Sequence, residues 1–259
     1  MDVTFLGTGS AMPVSERVQT GLLLERDDRT LLVDCGAGVL HRLSRIDGGY
    51  ESASSVLLTH HHLDHVADLL PLLKARWLAG ETHLEIAGPP GTKALVDGLL
   101  EVHDYLRDRV DLRLREVHAG STFEIAGFDV EAFETRHSMT CFAYRFPGSR
   151  DRGDREVNST GGDFTFSGDS EAFAGLANFA DGSRVLAHDC SFPDGLDVSN
   201  HPTPTQLGEA LAGTDIDRLY LTHRYPQTEG KGESLRESVR DAGFDGEVRL
   251  ARDGLRVTI

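Results

Sequence analysis

The sequence predicts an α/β fold stacked as four layers, helix, sheet, sheet and helix (αββα). Three observations carry that expectation. Short apolar or β-branched runs recur from one end of the chain to the other. Segments of helical periodicity lie between them rather than in a separate block. No stretch is long or polar enough to be an interdomain linker, so residues 1–259 are expected to form a single domain.

The strand-like segments come first at residues 3–6, 22–25, 31–33, 56–58 and 84–87. Others follow at 112–117, 128–133, 142–146, 164–166, 185–187, 219–221, 248–250 and 255–259. Helices are expected at 39–46, 66–78, 92–105, 171–179, 205–211 and 234–241, with Gly80 and Gly243 as stop signals. Gly7-Thr8-Gly9-Ser10 reads as a tight turn after the first strand, since a glycine pair alone is weak evidence for phosphate binding.

One motif stands out. Thr59-His60-His61-His62-Leu63-Asp64-His65 is His-x-His-x-Asp-His directly after the apolar run Val56-Leu57-Leu58. Four potential ligands within six residues can face two metal ions at once. His60 and His62 are two apart and project the same way from an extended loop. Asp64 and His65 can turn towards a second ion, just ahead of the helix expected from Val66. Imidazole and carboxylate suit zinc, with manganese or iron as alternatives. His61 points away from its neighbours and is expected to be solvated.

These residues, and others downstream, resemble the metallo-β-lactamase superfamily nearly end to end. Thr135-Arg136-His137-Ser138 is similar to its third histidine motif, and Phe166-Ser167-Gly168-Asp169-Ser170 to its Gly-Asp motif. Leu219-Tyr220-Leu221-Thr222-His223 is similar to the strand carrying its final ligand. The resemblance implies that His60, His62 and His137 hold one ion, that Asp64, His65 and His223 hold the other, and that Asp169 is shared. It also implies an αββα metallo-β-lactamase sandwich with two zinc ions.

Within the superfamily the chain resembles the ribonuclease Z branch, which cleaves phosphodiesters. Gly7-Thr8-Gly9-Ser10 and Asp34-Cys35-Gly36-Ala37-Gly38 match its opening, and Asp34 is expected to order the metal loop by hydrogen bonding. His188-Asp189-Cys190-Ser191 and Asn200-His201-Pro202-Thr203 align with two further loops. There Asp189 would hold His201, and His201 would serve the leaving oxygen. Asp64 would orient the attacking water and accept its proton. The departures are equally specific. Arg17 is kept in a loop that lacks the branch's lysine and asparagine, and Asp68 stands where a glycine is usual. Only 31 residues separate His137 from Asp169, too few for a transfer-RNA-gripping arm. A short polar loop at 148–162 is expected in its place. Precursor transfer RNA is therefore not the expected substrate. Another ester (an aryl sulfate, a lactone or a cyclic nucleotide) and a metal-binding role with little catalysis stay open as alternatives.

Composition bounds the rest. There is no long apolar span and no signal-peptide pattern, which favours a soluble cytoplasmic protein. Cys35, Cys141 and Cys190 are widely spaced and odd in number, as expected of reduced thiols. Acidic residues number 42 against 26 basic, a net charge of −16, and only Lys74, Lys93 and Lys231 are lysine. That surface resembles those of salt-loving organisms. An acidic surface repels nucleic acid at low salt, but at molar salt the screening length falls to about 3 Å. Net charge therefore neither establishes nor excludes an RNA substrate. A homodimer is expected only by analogy with the resembled branch.

Overall fold

The computed structural model describes residues 1–148, 162–196 and 198–259. The loop expected at 148–162 therefore lies almost wholly outside the described residues.

Two seven-stranded sheets face each other. The first has the order β14-β1-β2-β3-β4-β5-β6, with β1 Asp2–Gly7, β2 Gly21–Arg26, β3 Arg29–Val33, β4 Ser55–Leu57, β5 His83–Gly88, β6 Asp111–Glu116 and β14 Leu255–Thr258. The second has the order β13-β12-β11-β10-β9-β8-β7. Its strands are β7 Thr122–Ile125, β8 Phe128–Glu134, β9 Phe142–Phe146, β10 Asp163–Phe166, β11 Ser183–Asp189, β12 Arg218–Thr222 and β13 Glu247–Leu250.

Alternation along the strands sends one apolar face inward from each sheet. Val3, Phe5, Leu24, Val33 and Leu57 of the first sheet meet Phe128, Val130, Tyr144, Phe164 and Tyr220 of the second in one buried core. The outer faces carry helices. α1 (Val39–Leu43), α2 (Leu63–Val66), α3 (Leu69–Leu78) and α4 (Thr92–Val102) pack Val39, Val66, Leu72 and Val96 on Leu32, Val56 and Ile86. α5 (Ala174–Ala180), α6 (Pro204–Leu211) and α7 (Gly232–Asp241) pack Ala177, Leu207 and Val239 on Leu186, Leu219 and Val248. This is the αββα order expected. No helix among the described residues is long and apolar enough to cross a membrane.

Strand direction positions the site. β3 and β4 are parallel, as are β10, β11 and β12. β8 is antiparallel to β9 and β9 to β10, so β8 runs with β10. The segments 34, 59–65, 135–137, 167–169 and 189–191 and residue 223 all leave the carboxyl ends of these strands, and so meet at one edge of the sandwich.

Three expectations need correction. β7, Thr122–Ile125, was absent from the predicted strands, because four residues carrying only Phe123 and Ile125 inward give too little alternation to register. The expected helix over 66–78 is two helices, and the first already starts at Leu63, inside the metal motif. Asp68 lies at the break between them and turns its carboxylate to the Gly38 and Leu40 amides, at 2.8 and 3.0 Å, capping α1. Arg17, the residue kept in the first loop, points inward. It pairs with Glu229 and donates to the Arg224 carbonyl at 3.0 Å.

Candidate metal centre

The motif after β4 is built on Asp34. This residue ends β3 in a left-handed conformation, φ 61°, which swings its carboxylate under the neighbouring loop. There it accepts from the Thr59 amide and hydroxyl, each at 2.8 Å, and from His65 Nδ1 at 2.7 Å. Gly36 lets the two loops touch, since a Cβ there would lie 2.0 Å from the Asp64 carbonyl oxygen. One turn of α2 then directs Asp64 and His65 back towards the sheet edge.

Seven side chains from four chain segments converge. His60, His62, His137 and Asp169 form one group of potential ligand atoms within 4.8 Å of one another, and Asp64, His65 and His223 form a second. His62 Nδ1 is 3.0 Å from both His60 Nε2 and His137 Nε2. His223 Nε2 is 3.1 Å from Asp64 Oδ2. Asp169 lies between the groups. Its Oδ1 is 3.4 Å from His65 Nε2, and its Oδ2 is 3.3, 3.7 and 3.9 Å from Nε2 of His223, His60 and His137. A tetrahedral ion with bonds of about 2.0–2.1 Å separates its ligands by roughly 3.3 Å. The spacing matches.

Proton positions decide whether the set fits a cation. Thr59 Oγ1 donates to Asp34, so at 3.0 Å it can only accept from His60 Nδ1. His65 Nδ1 donates to Asp34, and His137 Nδ1 to the Asn200 carbonyl at 3.3 Å. Ser191 Oγ donates to Asp189 at 2.6 Å and so accepts from His223 Nδ1 at 3.0 Å. Each of these four imidazoles holds a proton on the outer nitrogen and aims its Nε2 inward, among carboxylate oxygens. His65 Nε2 and Asp169 Oδ1 are buried with no hydrogen-bond partner among the described residues. Nitrogens and carboxylate oxygens converging in a buried space call for positive charge between them, which metal cations supply.

The charges divide the set. Burial pushes His60, His62 and His137 below the ordinary histidine range, keeping them neutral. At His65 and His223 burial acts the same way, but Asp169 foremost among the carboxylates outweighs it and raises both, so that a proton sits on each Nε2 where a metal cation would take its place. Asp169 stays ionised well below the usual carboxylate range; burial opposes this, and His223 and His65 overcome it.

Beside the centre, His201 Nδ1 lies 2.6 Å from Asp189 Oδ2. Burial would lower His201, yet Asp189 raises it above the ordinary range. All of Asp64, His201 and Asp189 thus border the cluster. His61 does not join it, as expected, but neither is it solvated. It is half-buried and lies 2.9 Å from Thr92 Oγ1, because α4 packs over the loop. Ser191, the hinge between Asp189, His201 and His223, was not singled out from the sequence. Its only signal there was its place in the segment His188-Asp189-Cys190-Ser191.

A family model described as Anti-Pycsar protein Apyc1 matches residues 1–235. The ribonuclease Z of Methanopyrus kandleri is 32% identical, over 98% of this chain and 96% of that protein. The chain belongs to the ribonuclease Z-like branch of the metallo-β-lactamase superfamily. Another member of that branch, ribonuclease Z of Mycobacterium avium, is 30% identical over 100% of this chain and 98% of its own length. Among solved structures, the metallo-β-lactamase fold protein YhfI from Bacillus subtilis superposes with a TM-score of 0.81 at 25% identity, covering 99% and 98% of the two chains. The short form of human tRNase Z gives 0.76 at 23%, over 100% and 99%, and supports the fold. As a ribonuclease Z-like member with this His/Asp cluster, the protein is a metal-dependent hydrolase.

Proposed function

We propose that the protein is a phosphodiesterase of nuclease type, working in one domain with two zinc ions. His60, His62, His137 and Asp169 would hold one ion, and Asp64, His65, His223 and Asp169 the other. The observation that carries this reading is the buried carboxylate of Asp169 set between two groups of inward-facing ligand atoms. When bound, a pair of ions supplies Lewis acidity and an activated water.

The chain's own residues do the rest. Asp64 orients the attacking water and accepts its proton. His201, kept protonated by Asp189, donates to the leaving oxygen. H201A should retain two metals per chain while turnover falls roughly 100-fold or more. Unchanged turnover would remove His201 from the mechanism.

A second reading has a specific observation in its favour. A cavity of about 720 Å³ opens beside His201 and is walled in part by Glu171, Gln206 and Glu209. Two carboxylates there repel a long polyanion more than the single charge of a compact ester such as a cyclic nucleotide. The acidic, lysine-poor composition supports a high-salt setting, and the resemblance supports a homodimer. The deciding experiment is elemental analysis together with a panel of bis-aryl phosphate, cyclic nucleotide, RNA, aryl sulfate and lactone, run at high salt with zinc or manganese. Two metals with phosphodiester turnover supports the proposal. Turnover of sulfate or lactone alone overturns it.

A further inference from the structure

Tyr225 has a position that packing does not explain. It follows His223, itself left-handed at φ 52°, and the chain around it is pinned on both sides. The Arg224 amide donates to the Thr8 carbonyl at 3.1 Å and the Tyr225 amide to the Ser191 carbonyl at 3.2 Å. The Tyr225 carbonyl accepts from the Thr228 amide at 3.0 Å and from its hydroxyl at 2.7 Å. The ring stacks on Phe192 with centroids 4.6 Å apart and planes at 27°. It lies edge-on to His201 and to His223, 5.8 Å from each. The side chain is therefore held rigidly at the rim of the metal centre.

Its hydroxyl is free to act outward. The ring is half-buried, and the hydroxyl has no hydrogen-bond partner among the described residues while staying open to solvent, where a ligand can meet it. For stacking on Phe192 a phenylalanine would serve. The edge contacts with His201 and His223 set the phenol beside the cluster.

We propose that the Tyr225 hydroxyl donates a hydrogen bond to a non-bridging phosphoryl oxygen of the substrate seated at the metal centre. The inference rests on the phosphodiester reading and adds to it a residue that touches the substrate. No proton changes hands. The donor meets an oxygen whose negative charge grows as the nucleophile attacks, so the bond is stronger in the transition state than before it. His201 serves the leaving oxygen, and the two roles are separable.

The test is Y225F, which keeps the ring and removes the donor. Zinc-reconstituted wild type and Y225F are titrated with inorganic phosphate, by calorimetry and by ultraviolet difference spectroscopy of the tyrosine band. The wild type should show a phosphate-dependent tyrosine band that Y225F lacks. Phosphate affinity should fall about tenfold in Y225F, the size of one lost charge-assisted hydrogen bond. Metal content and melting temperature should not change. On bis-aryl phosphates kcat/KM should fall roughly 10- to 100-fold. That factor should be the same for good and poor leaving groups, whereas the H201A defect should grow as the leaving group worsens. Y225F that binds phosphate as the wild type does and turns over within twofold of it would overturn the proposal. A wild type that turns over no phosphodiester at all would bring down the phosphodiester reading instead, and the phosphate titration would still decide Tyr225.

Discussion

The two halves of the cluster share Asp169 and little else. His60 and His137 are backed by neutral groups, the Thr59 hydroxyl and the Asn200 carbonyl. His65 and His223 are backed by buried carboxylates, Asp34 directly and Asp189 through Ser191. Exposure differs too. Asp64, His65 and His223 are buried, whereas His62 and His137 are only partly so. Burial by itself makes an imidazole neutral. A carboxylate behind it also makes it a stronger electron-pair donor and fixes its orientation. The contrast teaches that the Asp64 half should hold its ion the harder, and that the half opening on His62 should exchange first.

The largest effect should come from removing what the halves share. D169N deletes a ligand charge from both, so metal content should drop below two per chain and kcat fall by about 1000-fold or more. Elemental analysis and turnover on one preparation check this. A variant that kept both metals would break the comparison, because the halves would then stand independently.

D34N acts mainly on one half, directly through His65, and reaches His60 only through Thr59. Zinc affinity at the Asp64 half should fall roughly 10- to 100-fold, with the three-histidine half weakened less, as two separate events in a chelator competition. Equal weakening of both events would mean that Asp34 orders the whole loop rather than one ion.

D189N sharpens the account of His201. As an acid His201 works protonated, so its contribution is present below its pKa and lost as pH rises through it. Asp189 raises that pKa against burial, and without its charge burial prevails. The alkaline limb of the pH–rate profile should therefore move to lower pH in D189N. A limb that stayed in place would assign the titration to another group. The smallest effect belongs to S138A. The Ser138 hydroxyl reaches His62 Nε2 at only 3.5 Å on the exposed side, so zinc affinity should stay within about twofold.

Much of this centre was legible in the chain. His60, His62, Asp64 and His65 form a local pattern, and Asp34, His137, Asp169 and His223 each follow an apolar run that reads as a strand. Other features were not, because their meaning depends on a distant partner. Asp68 looked like a departure from a motif until α1 lay beside it. Arg17 looked like the remnant of a loop motif until Glu229 and Arg224 enclosed it. His61 looked free until α4 brought Thr92 to it. Asp253 carries no motif at all, yet it accepts from the Thr8 and Val18 amides at 3.0 and 2.8 Å and so holds the first turn shut.

The amino-acid order alone determined the alternation of strands and helices, the layer count and the kinds of ligand available, since those follow from periodicity and side-chain chemistry within a few residues. Only the folded arrangement decided which nitrogen of each histidine faces inward, which carboxylates stand behind them and where Tyr225 points. Those are properties of neighbours far apart in the chain. Hydrogen-bond direction and the electric field of a buried cluster exist only once the two sheets have closed on each other.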